Sequence, residues 1–323
     1  MPNKTQNWQA AAALCLGFGL STSAALAQSS PQAWLDLMAE AVQTTNYEGT
    51  VVRVRGGEAE ALKVVHAVTD GVIREKVIAQ EGDGLEIIRN GNEVHCILPE
   101  RKSVIVEEWD NQSTLFSTLP SSDIRFGSEY DVSIVRKERV AGRKAVLLAI
   151  RPHDEFRYGH RLWLDAETGF PLQTQLIDDG GEAIAQVKFA DIRLDTEIQT
   201  SALAPSYSID TFTWIQEPAK SRTRQPLESE WRSDNLPSGF KPVSAHAEEM
   251  PGNDGLVTHV LFSDGIASVS VFVAFLEGAS VQGKSNHGSS HSYSVSNGDH
   301  VITAVGEVPA VTVEQIARSM RRD

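Results

Sequence analysis

Cysteine is nearly absent: the 323 residues contain two, Cys15 and Cys96. Positive charge is also scarce, with 29 Lys and Arg against 43 Asp and Glu, a formal net charge of −14. Beyond Ala27 no apolar run is long enough to cross a membrane as a helix. Each shortage excludes something. A disulfide-stapled scaffold is ruled out, because Cys15 lies in the N-terminal apolar stretch and leaves only Cys96 once that stretch is removed. The acidic balance repels phosphate backbones, so no nucleic acid is expected as a partner. The common esterase elbow G-x-S-x-G is missing.

What is present begins with a leader. Lys4 is the only charged side chain before the apolar run Ala10–Leu20, and Ala25-Leu26-Ala27 has the small-x-small pattern of a cleavage site. Residues 1–27 therefore read as a secretory signal, and a bacterial periplasm is the expected compartment. The mature chain loses only Lys4 among charged residues, taking −14 to −15. With 41% hydrophobic and 7% aromatic residues it is globular, and its length favours about two domains.

Ser29 or Ser30 can cap a helix with Pro31 at its first position, and Trp34, Leu35, Met38, Ala41 and Val42 share a face. Alternating segments then predict strands over 47–55, 61–68, 72–79, 85–89, 93–98, 103–107, 131–140, 144–151, 160–165, 172–177 and 182–190. Thr69-Asp70-Gly71 and Asn90-Gly91-Asn92 punctuate them as hairpin turns. Residues 112–126 are less periodic and read as a short helix or lid. So many strands after one helix imply a large, curved antiparallel sheet.

The stretch Arg157–Asp165 is unusual, because Leu162 and Leu164 alternate with Arg161, Trp163 and Asp165 to put bulky residues on both faces. Residues 195–228 hold Pro205, Pro218 and Pro226 with Lys220, Arg222 and Arg224, and read as a linker or crossover. The expected division is 28–194, linker 195–228, and a smaller α+β unit over 229–323 that ends in a helix beginning at Pro309 to Thr312. The fold class is mainly β with α+β elements.

Chemical motifs are weak. Gly278-Ala279-Ser280-Val281-Gln282-Gly283-Lys284-Ser285 matches the phosphate-loop pattern, but Asn286-His287-Gly288-Ser289-Ser290 cannot open the helix such a loop needs. Residues 278–288 read instead as a Gly/Ser loop. His287, His291 and His300 lie in or beside that loop with no geometry to bind metal. Neighbouring carboxylates such as Glu107-Glu108 and Asp178-Asp179 point to opposite faces, and Cys96 sits in an apolar-flanked strand. No catalytic residue, metal or cofactor is expected. A curved sheet with one helix can instead enclose an apolar pocket. Candidate wall or lid residues are Met38, Leu115, Phe116, Leu119, Phe126, Leu148, Ile150 and Trp163.

Several stretches together resemble the MucB/RseB family of periplasmic regulators of the envelope-stress sigma factor. They are Tyr47-Glu48-Gly49-Thr50, Arg89–Cys96 with Pro99-Glu100, Arg139–Arg143, Arg157–Asp165, Leu236-Pro237-Ser238-Gly239-Phe240, Ser263–Phe272 and Val305–Pro309, in order along the mature chain. The looser match is Asp178–Ile184. The resemblance implies an N-terminal half-barrel similar to lipoprotein carriers, with helices in its mouth, and a smaller C-terminal α+β domain. It implies a binding protein with no enzymatic activity and no metal, whose partner is the periplasmic segment of a membrane-spanning anti-sigma factor, shielded from proteolysis. Lipopolysaccharide or a related lipid is implied as the releasing ligand, and a homodimer is admitted. Phe240, Phe262, Phe272 and Phe275, with the 278–288 loop, are the expected partner surface. The alternative is a periplasmic lipid or lipoprotein carrier, which has no need of the second domain.

Overall fold

A computed structural model describes residues 30–108, 115–116, 119, 128–216, 229–250, 255–278 and 280–322. The first element is α1 (Pro31–Thr44). Ser30 caps it, its hydroxyl accepting from the Ala33 amide at 3.2 Å, and Pro31 occupies the first turn, where no amide hydrogen is needed.

Strands follow as β1 (Tyr47–Arg55), β2 (Glu58–Thr69), β3 (Val72–Ala79), β4 (Glu86–Asn90), β5 (Glu93–Leu98), β6 (Ser103–Glu108), β7 (Tyr130–Val140), β8 (Arg143–Pro152), β9 (Gly159–Asp165), β10 (Pro171–Ile177) and β11 (Ala183–Leu194). These fall on the expected strands with only their ends shifted. They form two antiparallel meanders, β1 to β6 and β7 to β11, joined where β1 pairs with β11. A register shift at Thr50/Val51 marks that seam, and Gly49 is needed there because a Cβ would run into the Asp191 carbonyl.

The expected linker turns out differently in its first half. A 3-10 turn (Thr200–Leu203) and β12 (Thr213–Gln216) belong to the first sheet, β12 lying parallel to β6 and completing twelve strands in the order β12-β6-β5-β4-β3-β2-β1-β11-β10-β9-β8-β7. Ile209 and Phe212 pack on Ile97, Val104 and Val106. Buried Lys76 donates to the Ala204 carbonyl and pairs with Glu86 at 2.8 Å, while Ser206 donates its amide and hydroxyl to Glu86. The segment is thus fastened over one face of β3 to β6. Pro205 follows the 3-10 turn, and side-chain anchors supplied by distant strands give the segment a fixed course.

The second unit contains β13 (Trp231–Ser233), β14 (Lys241–Glu249), β15 (Leu256–Ser263), β16 (Ser268–Phe275), β17 (Gln282–His287), β18 (Ser290–Asn297), β19 (His300–Gly306), α2 (Ala310–Ser319) and β20 (Met320–Arg322). Six strands make an antiparallel sheet in the order β14-β15-β16-β19-β18-β17, and β13 pairs with β20. Val313, Ile316 and Ala317 of α2 close one face over Val260, Phe262, Val271, Val273, Tyr293 and Ile302. The residues expected as a Gly/Ser loop include β17, whose six residues are all exposed. No apolar alternation announces this strand; its backbone pairing with β18 makes it one.

Candidate functional site

Strand β9 separates two apolar clusters. Leu162 and Leu164 join Val146, Leu148 and Ile150 of β8, Tyr130 of β7, and Trp34, Leu35 and Met38 of α1. Trp163 instead joins Tyr47, Val51, Val64, Leu147, Phe170, Leu172, Phe189 and Phe116. The physical reason is the strand period: neighbours on β8 and β9 point to opposite sides. The candidate wall residues therefore do not line one cavity. Met38, Leu148 and Ile150 lie in the first cluster, Phe116 and Trp163 in the second, and half-buried Leu119 packs against both. Leu115 packs against the second. Phe126 lies outside the described residues.

The second cluster carries a polar row. Tyr47, His66, Glu75 and Arg89 are successive cross-strand neighbours on β1 to β4, and all four are buried. The Tyr47 ring stacks on His66 with centroids 4.7 Å apart, and His66 Nδ1 lies 2.8 Å from Glu75. His66 on β2 and Glu75 on β3 share their strand phase with Leu62, Val64 and Val77 of that cluster, and nothing local in the sequence reveals that four polar groups line up. Trp163 donates its indole N–H to Glu138 on β7, and this bond is the main cause holding that carboxyl below its usual range.

β9 ends on a built turn. Asp165 accepts from Arg143 at 2.6 Å and from the Glu167 and Thr168 amides at 3.0 Å each. Burial pushes its carboxyl up, and the Arg143 guanidinium with those amides outweighs burial and lowers it. Gly169, at φ +77°, turns the chain back directly against Leu37 of α1, where a side chain would collide.

The start of the same stretch crosses to the second unit. The Arg157 side chain is fully buried, with its Nε 3.2 Å from Asp264 and its Nη1 3.3 Å from Asp154. Nη2 donates to the Ser238 carbonyl at 2.5 Å. The guanidinium sits between the rings of Tyr130 and Phe240, 5.3 and 5.2 Å from their centroids. Tyr130 donates its hydroxyl to Asp264 at 2.7 Å; burial, then the Asp264 charge, push its phenol far above the usual value. Further links are Thr312 to the Phe156 carbonyl (2.6 Å), Arg55 to Glu307 (3.0 Å) and Ser238 to Glu129 (3.1 Å). Burial of Tyr158, which lies 3.3 Å from His291, raises it to about 12, and burial lowers His160 to about 4. A cleft of about 360 Å³ opens at this junction, with Tyr158, Asp178, His291 and Pro309 in its lining. Three stretches that carry the family resemblance, around Arg157, Ser238 and Asp264, thus meet in space.

Two of the four aromatic candidates for a partner surface change role. Phe240 and Phe262 are core residues of the second unit, because their side chains fall on the α2 side of the sheet or beneath Arg157. Phe272 points to the opposite face and stacks on His259 at 4.5 Å, and Phe275 is 59% exposed beside His300. Phe240 lies just before β14 and Phe262 is the single Phe of β15, so sequence alone does not tell which of them meets the α2 face. Among the described residues, no group of three or more His, Cys, Asp or Glu is placed to hold a metal. No helix among them is long and apolar enough to cross a membrane.

Comparison with known proteins agrees with this architecture. The MucB/RseB N-terminal domain family matches residues 30–207 and the MucB/RseB C-terminal domain family matches residues 225–321. The Sigma factor AlgU regulatory protein MucB of Pseudomonas aeruginosa is 30% identical over 294 residues, 89% of this chain and 90% of that protein. In the solved complex of Pseudomonas aeruginosa MucA and MucB, a 28% identical chain superposes with a TM-score of 0.71, covering 91% of this chain and 99% of that one. A crystal structure of MucB superposes at 0.57, with 26% identity and 91% and 98% coverage. With both halves matched in order and nearly full length shared, the chain belongs to the MucB/RseB family.

Proposed function

We propose that this protein is a periplasmic regulator that binds the periplasmic segment of a membrane-spanning anti-sigma factor and protects it from regulated proteolysis, acting by binding and not by catalysis. The observation that carries the reading is the likeness over both sheets to MucB solved in complex with MucA. The leader and the single thiol remaining after it suit an exported protein. Lipopolysaccharide or another lipid is the releasing ligand in this reading, with its acyl chains taken by the apolar cluster beneath α1, where Met38, Leu148 and Ile150 lie. Phe272 and Phe275 remain the aromatic candidates for partner contact, since Phe240 and Phe262 offer no surface.

The test uses the mature chain and the anti-sigma periplasmic segment from the same organism. Calorimetric titration is expected to show saturable binding, and the bound segment is expected to resist a site-specific protease that cuts it when free. Absence of binding at tens of micromolar overturns the reading. Binding with undiminished cleavage removes the protective role alone. A carrier in place of a regulator would bind lipid and leave the segment untouched.

A further inference from the structure

We propose that the Ser263–Ala267 turn of the second unit is a latch that reports the packing state of the α1 cluster to the domain junction. Asp264 has two jobs, one for each carboxylate oxygen. Oδ1 accepts from the Ile266 and Ala267 amides at 2.9 and 2.8 Å and so folds its own turn. Oδ2 reaches across the junction to the Tyr130 hydroxyl and the Arg157 guanidinium. The turn therefore cannot move without moving the ion pair.

The same turn is coupled to the apolar cluster at two points. Ile266 packs against the cluster formed by Trp34, Leu35, Met38, Leu148, Ile150 and Leu162, although it belongs to a turn of the other unit. Tyr130 belongs to that cluster through its ring and to the latch through its hydroxyl. Anything that displaces Ile266 or tilts Tyr130 acts directly on Asp264.

The chemistry of the junction suits release. Among the contacts given above, those that cross it are hydrogen bonds and ion pairs, joined by Ile266 and the Phe240 ring. Separated ions regain hydration, so such a contact opens at lower cost than an apolar face of equal area. Arg157 and Asp264 are each almost completely shielded while the latch is closed. A ligand biases the opening only by its differential affinity for the two arrangements. An acyl chain that takes the place of Ile266 in the cluster has that differential affinity built in. This part of the inference rests on the lipid reading; the latch itself rests on the junction geometry alone.

The first arm of the test needs no lipid. Asp264→Asn keeps an oxygen for the turn and removes the charge that holds Arg157. Small-angle scattering on the full mature chain is expected to show a larger radius of gyration and a broader distance distribution for this variant. Tyr130→Phe is expected to give a smaller change in the same direction, and far-UV circular dichroism guards against unfolding. Scattering indistinguishable from wild type in both variants overturns the latch. The second arm uses monomeric lauroyl-lysophosphatidylglycerol. Saturating lipid is expected to expand wild type, while Ile266→Ala binds with similar affinity and expands at most a third as much. Binding without expansion of wild type overturns the coupling. Absence of binding overturns the lipid reading and the coupling, and leaves the latch to be judged by the first arm.

Discussion

The cluster beneath α1 and the domain junction lie side by side and are held in opposite ways. In the cluster, Met38, Leu148, Leu162 and Leu164 are fully buried against one another, and burial of each such side chain contributes about 2 kcal/mol. At the junction a buried Arg157 meets Asp264, Ser238 and two aromatic rings. Apolar packing is tolerant of direction and resists water. A buried ion pair demands geometry, and much of its Coulomb gain is offset by desolvation. The difference teaches that the first sheet is held by packing tolerant of direction, whereas the junction is held by polar contacts that demand geometry and that the proposed latch would release.

The largest effect is expected from Arg157→Ala. Leaving Asp264 buried without its guanidinium costs about 4 kcal/mol, read as a drop in the denaturation free energy or as separation of one transition into two. A loss smaller than that of Leu162→Ala would break the comparison, because charge would then not hold the junction. Leu162→Ala is expected to cost about 3 kcal/mol through lost burial and the cavity left behind, measured by urea unfolding.

Acid sharpens the contrast further. His160, whose neighbours on β8 and β10 are Ile150 and Leu176, is held at about 4 against an ordinary 6.5. Its folded value is the lower one, so the unfolded chain takes the proton first. Its contribution to stability is complete above pH 6.5 and is lost as the pH drops through about 4. Asp165 is also lowered, from 3.8, and its contribution is lost further down, as the pH falls through its folded value. His160→Gln should flatten the melting temperature between pH 6.5 and 4 while the steeper loss below pH 3.8 remains. An unchanged slope in the upper window would remove His160 from the account.

Smaller effects lie at the periphery of the first sheet. Ser30→Ala should cost about 1 kcal/mol by uncapping α1, seen in thermal unfolding. Glu60→Gln breaks only an exposed pair with Arg53 and should change stability by less than about 0.5 kcal/mol.

The sequence by itself determined the element types over most of the first sheet, the cap of α1 and the double-faced character of Arg157–Asp165. These follow from local rules: alternation of side chains along a strand, and side-chain oxygens at a helix start. It also carried enough scattered motifs to reveal the family. The tertiary structure alone decided where each face went. It divided Leu148 and Trp163 between two clusters, buried Phe240 and Phe262, made an exposed polar run into β17, and fastened residues 200–216 onto the first sheet. It alone brought Arg157 to Asp264, since ion pairing depends on proximity in space and sequence spacing carries no trace of which distant carboxylate will answer a buried guanidinium.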